Sequence, residues 1–82
     1  MNKKKLLQKI VNNPKNIRFN DFLAIVESFG FLKIRSKGSH IIFFNNAINE
    51  MINIQNFKGE AKPYQIKQFL YLVEKYNLEM SE

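Results

Sequence analysis

GFLKIRSKGSHIIFF is the sequence of residues 30–44. After its first glycine the spacing of apolar residues changes from helical to alternating, which predicts a β-hairpin. Leu32 and Ile34 alternate with Lys33 and Arg35, a pattern typical of a strand with one apolar face. The Lys-Gly pair at 37–38 favours a turn, and the residues that follow continue as an extended, apolar run. We therefore expect Leu32 and Ile34 to face a core, with Lys33 and Arg35 on the opposite, basic face.

Apolar residues recur at helical spacing on both sides of the hairpin. Upstream, one short helix is predicted over residues 3–12, and a second has Asn20 as its cap and stops at Gly30. Downstream, residues 51–55 alternate as a third strand, residues 57–62 form a polar loop, and Pro63 opens a final helix. The predicted buried stripes are Phe22, Ile25, Val26 and Phe29 in the second helix and Ile66, Phe69, Leu70 and Val73 in the last.

The order of elements, two helices followed by three strands and a helix, predicts the α+β class. We expect a single domain over residues 1–82, because a chain of this size holds one compact core. Its sheet would be three-stranded and antiparallel, with the helices packed on one face. The core of the domain is expected at about residues 20–78, and residues 1–15 contain an accessory N-terminal helix.

Composition points to a polyanionic partner. The 82 residues carry a formal charge of +6 and contain no cysteine, and their apolar content of 45% argues against disorder. The positive charge favours nucleic acid or an acidic protein as ligand, although excess lysine also serves solubility alone. Without cysteine there is neither a disulfide nor a thiolate metal site. No apolar run approaches the length that crosses a bilayer, so we expect a cytoplasmic protein without membrane contact.

His40, the only histidine, directly follows the turn of the hairpin. In one register of the middle strand, Ile41 and Phe43 point to the core, which leaves His40 beside the basic residues and exposes Ile42 and Phe44. In the other register His40 is buried. The pattern alone leaves both registers open and favours a structural histidine, while exposed apolar residues would mark a surface that a partner covers. The partner interface predicted from the first register consists of Lys33, Ile42 and Phe44.

The hairpin and its flanking elements resemble the HicA family of toxin–antitoxin ribonucleases. The resemblance spans about residues 20–78 and implies a fold similar to the double-stranded RNA-binding domain, cleavage of messenger RNA with neither metal nor cofactor, neutralisation by a HicB-like antitoxin and catalysis by His40. Many family members carry a second histidine near the end of the third strand, where this chain has Asn-Ile-Gln at 53–55. The residues that carry the resemblance are Gly30-Phe31, Arg35, Lys37-Gly38-Ser39-His40 and Phe43.

Metal-free RNA cleavage requires a group that moves the 2′-OH proton and groups that stabilise charge on the phosphate. Histidine is the side chain whose ordinary pKa lies near neutrality. We therefore assign His40 the role of general acid or base, with Arg35 and Lys37 as phosphate contacts from the same hairpin. Ser39 and the backbone of Gly38 would orient the substrate.

The segment before the last helix offers further cations. Lys58 and Lys62 would hold another phosphate near the free N–H groups of that helix, or would simply form a solvated loop. Tyr64, in the first turn, has the chemistry to stack on a base, but we expect it at the edge of the core. Two other functional classes stay open, a non-catalytic RNA-binding module of the same fold and a protein-interaction domain that uses only the apolar patch.

Overall fold

The computed structural model describes residues 2–81. Within these residues the chain forms three helices and one four-stranded antiparallel sheet of strand order β1-β2-β3-β4. The predicted α+β class is confirmed. No helix in this part of the chain has the length and apolarity to span a membrane. The elements are α1 (Lys3–Asn12), α2 (Phe19–Ser28), β1 (Leu32–Lys37), β2 (His40–Asn45), β3 (Glu50–Phe57), β4 (Glu60–Ala61) and α3 (Pro63–Lys75).

The first helix has the predicted bounds, and the second begins one residue before the predicted cap. The side chain of Asn2 caps α1 by accepting a hydrogen bond from the N–H of Lys5 at 2.9 Å. The expectation that Asn20 caps α2 is wrong, since Arg18 occupies that position without a side-chain cap. The N–H of Phe19 donates to the carbonyl of Gly59 at 2.9 Å, so the β3–β4 turn satisfies this helix end instead.

The sheet has one strand more than the sequence predicted. Residues 57–62 were expected to be a polar loop, but β3 continues to Phe57 and pairs with Glu60 across a two-residue turn. Lys58 and Gly59 both have positive φ, 53° and 85°, as the tight hairpin turns that suit strand twist require. A lysine is unusual at the first of these positions, which is why the sequence did not predict this turn.

The inward and outward faces of β1 differ from the prediction. Leu32 and Ile34 are 61% and 56% exposed, so the expectation that they face the core is wrong. The pairing of β1 with β2 shifts between Lys33 and Arg35, as in a β-bulge. Phe31, which precedes the strand, is fully buried and takes the core position that Leu32 was expected to fill.

The predicted helical stripes form the core. Phe22, Ile25 and Val26 are buried in α2 and Phe29 at its C-terminal cap, as are Ile66 and Phe69 in α3. On β3, buried Ile52 and Ile54 alternate with more exposed neighbours, so the helices cover one face of the sheet and leave the other open. Leu70 and Val73 are partly buried against this core.

Polar side chains fasten the ends of the strands to the helices. The amide of Asn45 donates to the carbonyl of Phe29 at 3.1 Å, and the N–H of Gln55 donates to the side-chain oxygen of Gln65 at 2.8 Å. The hydroxyl of Tyr76 donates to a Glu50 oxygen at 2.5 Å, and this hydrogen bond raises the pKa of Tyr76. These hydrogen bonds therefore hold β2 and β3 against the ends of α2 and α3.

Candidate active site on the open sheet face

The sheet register arranges the open face in three rows. Residues directly opposite each other on neighbouring strands share a face, and each row takes one residue from each of β1, β2 and β3. Polar and cationic residues occupy one end of the face and apolar residues the other. The rows are Lys37, His40 and Gln55, then Arg35, Ile42 and Asn53, then Leu32, Phe44 and Met51.

The register of β2 settles which face His40 occupies. Phe43 is buried and pairs with Ile52, and Ile41 pairs with Ile54 and packs against the core. His40 is therefore exposed on the open face, which is the first of the two registers that the sequence allowed. Ile42 and Phe44 lie on the same face and remain half-buried.

A groove of about 530 Å³ surrounds His40. Among the described residues, those that line this groove include two cations and no carboxylate, so the groove suits an anionic group. The structure thus brings His40 together with Arg35 and Lys37, as the sequence predicted. The groove is lined by Arg35, Ser36, Lys37, His40, Ile42 and Asn53.

Asn53 contacts the imidazole of His40. The distance from Nδ1 of His40 to Oδ1 of Asn53 is 3.1 Å. When the amide oxygen accepts, Nδ1 carries the proton and Nε2 keeps its lone pair. Asn53 was assigned no role from the sequence, although the alternation of β3 places it on the same face as Gln55, where a diagonal neighbour can reach His40.

The turn before His40 is fixed by its backbone and by β3. Gly38 has φ of +59°, a conformation that favours glycine. Oγ of Ser39 accepts a hydrogen bond from the side-chain amide of Gln55 at 3.3 Å, and the carbonyl of Ser39 accepts from the N–H of Asn56 at 2.8 Å. These contacts hold the strand end that carries His40 over β3.

Besides the turn residues 38–39, four predicted site residues do not line the groove: Phe44 lies in the next row of the open face, and Lys58, Lys62 and Lys33 lie elsewhere. Lys58 and Lys62 are near the β3–β4 turn, where their ammonium groups approach the ring of Phe57 at 5.5 and 5.3 Å. Lys33 pairs with buried Phe43 and so projects to the helix side of the sheet, away from the apolar residues with which it was grouped. Because the pairing register shifts at Ile34, Lys33 and Arg35 lie on opposite faces of the sheet.

The fold and the groove define a small α+β domain with one open, cationic sheet face. Residues 19–73 match the model of a family described as HicA toxin of bacterial toxin–antitoxin. The match covers more than half of the chain, which therefore belongs to the HicA toxin family and is a toxin of the toxin–antitoxin kind. This confirms the resemblance found in the sequence. No curated protein and no solved structure gives a significant match.

Proposed function

We propose that the chain is the toxin of a type II toxin–antitoxin pair and acts as a metal-independent endoribonuclease on messenger RNA, in the cytoplasm. The observation that carries the proposal is the groove around His40. It combines one imidazole, which Asn53 holds by a hydrogen bond, with the cations of Arg35 and Lys37. A proton-transfer group beside two phosphate-binding groups is the set that transesterification of RNA requires.

The proposed reaction starts at the 2′-OH of the nucleotide bound in the groove. Nε2 of His40 takes the hydroxyl proton, the 2′ oxygen forms a bond to phosphorus, and the P–O5′ bond breaks. Asn53 accepts from Nδ1–H and keeps the imidazole in the tautomer that can act as a base. Arg35 and Lys37 stabilise the charge on the non-bridging oxygens. The products are a 2′,3′-cyclic phosphate and a 5′-hydroxyl.

The second proton transfer distinguishes this chain from a two-histidine nuclease. His40 is the only histidine, so the departing 5′ oxygen takes its proton from water, from a nearby lysine or from the imidazolium formed in the first step. We expect slow turnover as a result. Ser39 and the Gly38 backbone orient the substrate beside His40, and Lys58 and Lys62 contact phosphates farther along the strand.

Purified chain is expected to cut a long single-stranded RNA in the presence of EDTA. Because the proposed chemistry uses only side chains, chelation should leave the rate unchanged, and the fragments should end in a cyclic phosphate. Gel analysis with end-group mapping measures both. If the chain binds the RNA without cutting it, the non-catalytic RNA-binding module becomes the better interpretation. Fragments with a 5′-phosphate would contradict the proposed mechanism.

A HicB-like antitoxin is the proposed partner, and the open face is its proposed binding surface. The apolar row of Leu32, Phe44 and Met51 continues from Ile42, so a protein that covers the groove gains apolar contact beyond it. Lys33, which the sequence placed in this interface, is not part of the proposed surface, because its strand position turns toward the helices. A partner seated here would exclude RNA from His40.

Met51→Glu is expected to weaken antitoxin binding about tenfold or more, because it places a charge in the apolar row that the antitoxin would bury. Val11→Glu is the matched control, since Val11 is 58% exposed and Met51 59% exposed, but Val11 lies on α1. Titration calorimetry with a purified HicB-like antitoxin measures the difference. Equal affinity for the two variants would place the partner on another surface.

A further inference from the structure

Two aromatic rings lie exposed beyond the His40 groove. Phe57, at the end of β3, is 51% exposed, and Tyr64, in the first turn of α3, is 56% exposed. The expectation that Tyr64 lies at the edge of the core is therefore wrong. Water contact at a phenylalanine ring is unfavourable, and neither ring belongs to the packed core or to the residues packed against it.

Lysine ammonium groups surround both rings. Those of Lys58 and Lys62 lie 5.5 and 5.3 Å from the centre of the Phe57 ring, and that of Lys62 lies 5.9 Å from the centre of the Tyr64 ring. The ammonium group of Lys62 thus lies within reach of both rings, so the two rings are near each other. Such contacts are weak at exposed sites, so an incoming ligand can displace the lysines from the ring faces at small cost.

The rings continue the surface that starts at His40. Phe57 is two residues beyond Gln55, the cross-strand partner of His40, and residues two apart on a strand share a face. Their Cα atoms are about 7 Å apart along the strand, roughly the length of one extended nucleotide. Tyr64 lines a second groove together with Asn53, which contacts His40. Phe57, through Gln55, and Tyr64, through Asn53, therefore both border the residues around His40.

We propose that Phe57 and Tyr64 form a stacking site for unpaired bases of RNA. The inference rests on the proposed ribonuclease function and specifies its substrate as single-stranded. A base adjacent to the nucleotide in the His40 groove stacks on a ring, and Lys58 and Lys62 move from the rings to the flanking phosphates. Aromatic rings set among cations are the usual means of holding single strands, because every base has a flat face, whereas bases within a duplex are already stacked.

The chemistry of the patch favours RNA over a protein ligand. Lysine is depleted at the centre of protein interfaces because its ammonium group is costly to desolvate, yet here lysines lie directly against the rings. Glu60, opposite Phe57, is the one acidic residue in residues 57–64, and it lies beside Arg18 through an isolated bridge. The apolar row at the other end of the face, around Phe44, has no lysine in it.

The test measures binding of a fluorescent single-stranded RNA of about 10 nucleotides. All variants are made in a His40→Ala chain, so that the RNA stays intact. Phe57→Ala and Tyr64→Ala are each expected to weaken binding about fivefold or more. Val11→Ala is the control, because Val11 is 58% exposed and lies on α1, outside both grooves. We expect less than about a twofold change there.

Four further readouts separate stacking from loss of apolar area or charge. Phe57→Leu should bind the RNA as weakly as Phe57→Ala, while Phe57→Tyr should keep the affinity of the parent chain. The slope of affinity against salt should be unchanged in all ring variants, since it reports phosphate contacts. A 2-aminopurine base in the RNA should lose fluorescence on binding the parent chain and keep it with Phe57→Ala. A duplex of the same sequence should be insensitive to either ring.

The outcomes distinguish this inference from the proposed function. If the ring variants bind the single strand as tightly as the parent, the inference is overturned while cleavage in EDTA still stands, and the rings become a candidate surface for a protein. Equal sensitivity of duplex and single strand to ring removal also overturns it. If the parent binds no RNA in any form, both the inference and the ribonuclease proposal fall.

Discussion

His40→Ala is expected to reduce RNA cleavage about a hundredfold or more while leaving RNA affinity nearly unchanged. The lower bound is the usual contribution of one general acid or base. Binding should persist because the phosphate contacts come from Arg35 and Lys37, whose side chains the substitution does not touch. His40 is exposed and outside the core, so the fold should also persist. Cleavage rate and RNA affinity, measured on the same preparations, test the two halves of this expectation.

Two controls make the His40 result specific. The melting temperature should match that of the parent, which excludes loss of fold as the cause. Added imidazole should restore part of the activity of His40→Ala, since a free imidazole can occupy the space that the substitution opens and transfer the same proton. Equal cleavage by parent and variant would discard His40 as the proton-transfer group. Loss of binding together with cleavage would make His40 a contact for RNA.

The composition of the site was predictable because it lies within one short hairpin. Arg35, Lys37 and His40 are close in sequence, and a two-residue turn places them on two neighbouring strands. Asn53 was not assigned a role because its contact with His40 depends on the pairing register of β2 and β3. A shift of one residue in that register would have turned Asn53 to the helix side.

The orientation of β1 shows where alternation fails as a guide. Leu32 and Ile34 have the alternation of an inward face, but the larger Phe31 is the residue that is buried in the core. The shift in pairing between Lys33 and Arg35 then returns Arg35 to the open face, next to Ile42. A bulge is set by cross-strand packing rather than by local preference, so a period-2 pattern does not reveal it. The helical stripes were predictable because each lies within one continuous helix.

The packing of Phe69 determines whether the open face keeps its shape. Its ring makes edge contacts with Phe22, Phe29 and Phe31 at centroid distances of 5.5, 5.6 and 5.7 Å. Phe22 lies in α2 and Phe29 caps its C-terminal end, while Phe31 precedes the strand that carries Arg35 and Lys37. One side chain of α3 therefore joins the second helix to the start of the hairpin, and the site depends on it.

Phe69→Ala is expected to cost about 3–5 kcal/mol of unfolding free energy, the usual effect of removing a buried phenylalanine. A small domain has only about 5–15 kcal/mol in total, so much of the variant should be unfolded or should melt at least about 12 °C lower. Phe69→Leu keeps most of the volume and should cost about 1 kcal/mol, which leaves a folded chain to measure if the alanine variant does not fold.

Tyr71→Ala is the matched control for Phe69→Ala, because Tyr71 is an aromatic residue two positions later on the same helix but 63% exposed. Its melting temperature should stay within a few degrees of the parent's, since substitutions on the surface usually change stability by about 0.5 kcal/mol or less. Thermal unfolding followed by circular dichroism compares the three variants. Equal losses for Phe69→Ala and Tyr71→Ala would mean that the buried ring of Phe69 contributes no more to stability than an exposed ring on the same helix does. A large loss for Phe69→Ala alone ties the hairpin and its histidine to the ring contacts beneath them.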